Sequence, residues 1–186
     1  EGDYTALFDH DDLLTENALY EVAEAIERKG RPDMIYSDED KVSADLSEYF
    51  QPHFKPDFSV DLLRANNYIC HLLVVSRKLL AKVGGQDAAY DGAQDYDFIF
   101  RCAEEAEEIV HIPKVLYHWR IHAASTADNP FGKDYALEAG KRAVEAHLQR
   151  SETPAQVSML NYRGFYRVKY EVSGEPLVSI IIPNKD

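Results

Sequence analysis

Apolar residues in this chain come in short runs that stop abruptly at acids. Tyr4-Thr5-Ala6-Leu7-Phe8 runs directly into Asp9-His10-Asp11-Asp12, the pattern of a buried strand that delivers carboxylates to its C-terminal end. Thr15 then offers a helix N-cap. Leu19, Val22, Ala23 and Ile26 recur at helical spacing until Gly30 and Pro32 stop the pattern. Met34-Ile35-Tyr36 reads as a strand that again ends in acids, Asp38-Glu39-Asp40. Residues 41–58 show no sustained period and carry Pro52 and Pro56, which predicts an irregular surface excursion of the kind that often carries binding function.

The second half alternates in the same way. Tyr68 to Val75 is rich in apolar and β-branched residues and predicts a buried strand, after which Ser76 caps a short helix closed by Gly84-Gly85. Asp95 to Ala106 predicts a helix with Phe98, Ile99, Cys102 and Ala106 on one face. Residues 109–112 and 115–122 predict strands on either side of Pro113, and 133–149 a further amphipathic helix with Leu137, Val144 and Leu148 on its stripe. Two late strands, 165–172 and 178–182, flank the turn residues Ser173-Gly174-Glu175-Pro176. The alternation indicates an α/β class, with some antiparallel pairing late in the chain.

Composition narrows the function. A chain of 186 residues that is 45% hydrophobic can bury one sizeable core. The formal net charge of −13 and the absence of a Lys/Arg block argue against nucleic acid as a partner. An anionic ligand would therefore need a local arrangement such as a divalent cation. Cys70 and Cys102 each sit in an apolar stretch and read as small buried hydrophobes, which fits a reducing compartment. No stretch approaches the roughly 20 apolar residues that span a bilayer.

Three groups of residues carry candidate chemistry. Asp9, Asp11 and Asp12 lie beyond a strand's carboxyl end, where open α/β sheets bind ligands. On an extended segment Asp9 and Asp11 would project from one side and share magnesium or manganese, which would neutralise a diphosphate leaving group. A solvated acidic loop is the competing reading. A helix-loop-helix calcium site lacks its third acid and its glycine, and Leu13 departs from the haloacid phosphatase pattern. In Gly92-Ala93-Gln94-Asp95-Tyr96-Asp97, Asp95 is either a helix N-cap or a cleft carboxylate placed to accept a proton from a hydroxyl. Strand alternation puts His118, Arg120 and His122 on one face and Tyr117, Trp119 and Ile121 on the other. The first face suits a diphosphate or a metal, and equally suits the polar side of a core strand.

Taken in order, these segments resemble the inverting family-2 glycosyltransferases, whose fold is called GT-A. The matching text runs from Gly2-Asp3-Tyr4 and Leu7-Phe8-Asp9-His10-Asp11-Asp12 through Tyr36-Ser37-Asp38-Glu39-Asp40, Phe54-Lys55-Pro56-Asp57 and Gly84-Gly85. It continues in Gln94-Asp95-Tyr96-Asp97 and Tyr117-His118-Trp119-Arg120, and ends at Ser125-Thr126. The resemblance implies a metal-dependent, GT-A-like α/β fold with a mixed sheet flanked by helices. It implies Asp9 and Asp11 as the D-x-D metal element, Asp95 as the catalytic base, and Arg120, His122 and Ser125 as the segment that closes over the donor phosphates. The cofactor implied is manganese or magnesium. The implied partners are a nucleotide-sugar donor and a saccharide or lipid-linked saccharide acceptor, in polysaccharide assembly in the cytoplasm or at the inner face of the membrane. Gln94 departs from the Glu usual before the base.

The same resemblance divides the chain into a catalytic and acceptor half over 1–127, a helix and strand extension over 128–175, and, over 176–186, the first strand of a following domain of a tandem enzyme. It also implies that a nucleotide-binding half precedes residue 1, so that the piece alone is inactive. Val178 to Ile182 is expected to add to an exposed sheet edge. A non-catalytic carbohydrate-binding module and a metal-dependent phosphohydrolase with Asp9 as nucleophile are the alternatives.

Overall fold

The computed structural model describes residues 2–121 and 134–185. Its elements follow in chain order as β1 (Tyr4–Leu7), β2 (Leu13–Leu14), α1 (Ala18–Arg28), β3 (Met34–Val42), β4 (Tyr49–His53), α2 (Val60–Ala65), β5 (Leu73–Ser76) and α3 (Arg77–Val83). After a short 3-10 turn at Ala88–Tyr90 come α4 (Gln94–Glu105), β6 (Ile109–Arg120), α5 (Asp134–Arg150), β7 (Ala155–Met159) and β8 (Tyr166–Tyr170). The main sheet is ordered β1-β5-β3-β6-β2, with β4 added to β3. β3 and β6 pair in parallel and the other contacts are antiparallel. The result is the expected mixed sheet flanked by helices, an open, curled half-barrel.

Side-chain alternation along β3 explains why both faces are covered. Met34 and Tyr36 pack with Leu73, Val75, Phe98, Ile99 and Val144 under α3, α4 and α5, whereas Ile35 packs with Val22, Val74, Val110 and Leu116 under α1. The helices form for local reasons. Ser76 caps α3 by accepting from the Leu79 N–H at 3.1 Å, as expected, and the helix ends at Gly84. In α4, Phe98, Ile99 and Cys102 recur at helical spacing and are fully buried. In α5 the buried stripe is Ala139, Gly140, Ala143, Val144, His147 and Leu148. β7 and β8 form a separate hairpin against α5, fixed by Tyr166, whose hydroxyl donates to the Leu137 carbonyl at 2.9 Å.

Several expectations are corrected. β1 is an edge strand in the described sheet with Thr5 and Ala6 exposed, because it pairs only with β5. α1 begins at Ala18, with Asn17 and not Thr15 at its cap, and buries Ala18, Glu21 and Val22 while Leu19 stays exposed. β3 does not stop before its acids. It runs through them because Asp38 is matched by His111 at 2.8 Å and Asp40 by His118, both from the parallel neighbour. Residues 41–58 are not wholly irregular, since β4 folds back on β3 around a turn in which Ser43 and Ser47 bind the Asp45 carboxylate. The two strands expected around Pro113 are one. The register moves from Ser37 opposite Ile112 to Asp38 opposite Val115, so Pro113, which has no N–H to offer, is bulged out with Lys114.

The C-terminal run does not dock. Residues 178–182 form no strand, and Ile180 and Ile181 are 81% and 90% exposed, so the expected sheet addition is absent.

Candidate functional site

The polar run after β1 is a turn. The Asp12 N–H donates to the Asp9 carbonyl at 3.2 Å, which closes four residues into a tight reversal. On an extended segment alternate residues share a side, but across this turn the first and fourth residues converge. Asp9 therefore faces Asp12, while Asp11 Oδ1 is 3.7 Å from His10 Nδ1. His71, just before β5, completes the group. One ligand atom from each of Asp9, Asp12 and His71 lies within 4.8 Å of the others, and His71 Nε2 is 3.8 Å from Asp9 Oδ2.

Tyr117 of β6 organises this corner. Its hydroxyl donates to Asp12 Oδ2 and accepts weakly from the Asp9 N–H at 3.4 Å, and its ring stacks on the His71 imidazole with centroids 4.6 Å apart. Trp119 meets the same imidazole edge-on at 5.9 Å. The other Asp12 oxygen accepts from the Arg120 N–H at 2.8 Å. Burial pushes the Asp12 pKa up, against the bonds from Tyr117 and Arg120 and the nearby charge of His71. Each Asp12 oxygen still keeps a lone pair free for a cation. Two carboxylates and one imidazole form a donor set suited to a divalent ion such as manganese.

Asp9, His71 and Trp119 line a cavity of about 470 Å³, and Asp95 lies on its wall with Asn67, Gln94 and Tyr96. Asp95 stands in the first turn of α4, where the N-cap is Ala93 and not Asp95. The Asn67 amide donates to Asp95 Oδ2 at 2.8 Å, and Asn67 Oδ1 is buried without a partner. Burial raises the Asp95 pKa, opposed by the charge of His71, the backbone of Tyr96 and the bond from Asn67. A carboxylate whose proton affinity is raised in this way is suited to take a proton from a bound hydroxyl. Gln94, on the same wall, accepts the Gly92 N–H at 2.8 Å. Gly92 itself has φ +90°, and a Cβ there would fall 2.6 Å from the Tyr135 ring and 2.9 Å from Ala136, so this wall admits no other residue without moving α5.

Of the remaining expected residues, Arg120 lies among the described ones. The Arg120 guanidinium binds the Ala44 carbonyl, with Nε at 3.0 Å, and reaches the acid corner through its main chain. His122 and Ser125 lie outside the described residues. His118 pairs with Asp40, while of the alternate residues Trp119 lines the cavity and Tyr117 is buried behind it against His71 and Asp12. Sequence reasoning missed His71, Asn67 and the aromatic face of β6. The signal available was the alternation itself, which had placed Tyr117 and Trp119 together.

No protein-family model matches the chain. It is 44% identical over 188 residues to the uncharacterized protein y4gI of Sinorhizobium fredii, an alignment that covers all of this chain and 21% of that protein. It is 42% identical over 185 residues to the O-antigen biosynthesis protein RfbC of Myxococcus xanthus, covering 100% of this chain and 14% of that one. The chain therefore spans 21% and 14% of the length of these relatives. Among solved structures, Staphylococcus aureus TarS 1-349 in complex with UDP-GlcNAc superposes with a TM-score of 0.56 at 15% identity, over 80% of this chain and 43% of that one. TarS 1-349 without that ligand gives 0.50 at 14% identity, over 95% and 74%. The likeness shows a shared, GT-A-like fold.

Proposed function

We propose that the cavity transfers a sugar, with inversion, from a nucleotide-sugar donor to an acceptor hydroxyl in polysaccharide or glycoconjugate synthesis, in the manner of the family-2 glycosyltransferases. One observation carries this reading: Asp9 and His71 of the Asp9, Asp12 and His71 group line the same cavity as the carboxylate Asp95, which comes from a different element. The O-antigen role of RfbC and the UDP-GlcNAc bound by TarS point the same way.

Asp95 accepts the proton of the acceptor hydroxyl as its oxygen attacks the anomeric carbon, and the bond to the nucleoside diphosphate breaks on the opposite side. A single displacement inverts the anomeric centre. Asn67 holds the Asp95 carboxylate in place and leaves its second oxygen for the hydroxyl. Asp9, Asp12 and His71 would hold a divalent cation, which would supply positive charge for the departing diphosphate. Arg120, with His122 and Ser125, is assigned to the donor phosphates, and Arg120 must leave the Ala44 carbonyl to reach them. The phosphohydrolase alternative requires a lysine or a second acid cluster in the cleft. Lys55 does not serve, because it is buried beneath the site with its ammonium on main-chain carbonyls.

The test, made on the full-length protein because this piece alone is expected to be inactive, is a calorimetric titration of manganese and a panel of nucleoside diphosphates, followed by a transfer assay. Manganese-dependent nucleotide binding is expected, with Asp95→Asn retaining binding and losing about 10²- to 10⁴-fold in transfer. Undiminished turnover would remove Asp95 as the base. Metal-independent glycan binding without nucleotide binding would establish the carbohydrate-binding module, and phosphate release from a simple ester the phosphohydrolase.

A further inference from the structure

Beneath the acid corner, two buried charges grip the main chain of His71. The Lys55 side chain is wholly inaccessible, and its ammonium has three donors. They meet three acceptors: the Ile69 carbonyl at 2.6 Å, the His71 carbonyl, and Glu39 Oε2 at 3.3 Å. The same Glu39 oxygen accepts from the His71 N–H at 3.3 Å, while Oε1 takes His53 Nδ1 at 3.2 Å. Both peptide groups of His71 are thus held by one ion pair. Glu39 comes from β3 and Lys55 from the segment after β4, so the grip ties His71 to the middle of the sheet.

Stability alone does not account for this pair. Desolvating two charges costs several kcal/mol, in round terms as much as their attraction returns, and well-packed apolar replacements are often neutral or stabilising. A pair that also satisfies an N–H and two carbonyls at one point of the chain fixes position. We propose that Lys55, acting with Glu39, is the positioning residue for His71, setting the backbone from which the imidazole reaches the cation shared with Asp9 and Asp12. The cost of a misplaced ligand is known in general terms, since loss of the groups that orient a ligating His lowers metal affinity about 10- to 100-fold.

This inference rests on the reading of Asp9, Asp12 and His71 as a cation site, and the experiment separates the two. Manganese affinity is measured by electron paramagnetic resonance for the wild type, for His71→Ala, for the charge-neutral pair Lys55→Met/Glu39→Gln, and for all three changes together. Thermal unfolding shows which variants are folded. Glu39→Gln alone is included because it leaves the ammonium in place and weakens only the hold on the His71 N–H. The expected result is a folded paired variant that binds manganese roughly 10- to 100-fold more weakly, a smaller loss for Glu39→Gln, and no further loss when either is added to His71→Ala. Full affinity in folded Lys55 and Glu39 variants, or an equal additional loss in the His71→Ala background, overturns the positioning role while the cation site stands. Absence of manganese binding by the wild type overturns the cation site and this inference with it.

Discussion

Gly140 sits on the buried face of α5 where Tyr166 of β8 crosses it, and replacing it by alanine sets two effects of opposite sign against each other. Alanine is the better helix former by roughly 1 kcal/mol. The added Cβ, however, falls inside the van der Waals sphere of the Tyr166 hydroxyl oxygen and 3.0 Å from Cζ. Tyr166 is 5% exposed, lies alongside Tyr96 with ring centroids 6.2 Å apart, and donates to the Leu137 carbonyl, so moving it toward the neighbouring cavity breaks these contacts. Displacing it forfeits a hydrogen bond, about 0.5–1.5 kcal/mol. It also strains the packing by about 1–3 kcal/mol. The balance is a loss of roughly 2 kcal/mol, or a melting temperature lower by roughly 4–8 °C for a chain of this size. Differential scanning calorimetry of Gly140→Ala, Tyr166→Phe and the double variant checks the cause. Removing the hydroxyl relieves the closest clash, so the double variant is expected to melt above Gly140→Ala alone. A Gly140→Ala protein as stable as the wild type would refute the packing argument and leave helix propensity as the larger effect.

The turn predicts an order among the acids: Asp9→Asn and Asp12→Asn weaken manganese binding by at least about tenfold and Asp11→Asn by less, read by calorimetry. An Asp11 variant as weak as the other two would restore the extended D-x-D arrangement. Asp95→Asn is expected to stabilise the fold at neutral pH, because burial raises this carboxyl's pKa and so penalises its ionised form. The sign follows from that direction. Wild type and variant should match below the ordinary carboxylate pKa, and the wild type should fall behind as pH rises through the raised value; parallel stability curves in urea would contradict it. Tyr117→Phe removes the donor on Asp12 and, with it, a bond that opposes the rise in that carboxyl's pKa. It should cost about 1.5–3 kcal/mol and weaken manganese binding, measured by urea unfolding and calorimetry.

What could be read from the sequence was what is decided locally. The stripe of α4, the buried positions Val144 and Leu148 of α5 and the Ser76 cap follow from spacing and from a side chain bonding three residues ahead. The hairpin of β3 and β4 and the length of β3 did not, because Asp38 and Asp40 belong in a strand only when His111 and His118 arrive from 73 and 78 residues away. The acids after β1 were recognised as a group, yet the nearness of Asp9 to Asp12 was not, since an extended segment and a turn place different residues side by side. His71 gave no local sign of its role. Its ring is placed by Tyr117 and its backbone by Glu39 and Lys55, none of them a sequence neighbour.

The bond from Tyr117 to Asp12 joins residues 105 positions apart, and the Arg120 N–H reaches the same carboxylate across 108. The acid corner therefore has no existence in a chain whose β2 and β6 have not yet met. Helices form within microseconds, whereas pairings that close so long a loop must first overcome its entropy and are slow. In a refolding experiment the helical signal should accordingly appear well before any affinity for the cation. Ligand binding here marks the completion of folding, and no half-folded chain can display the site early.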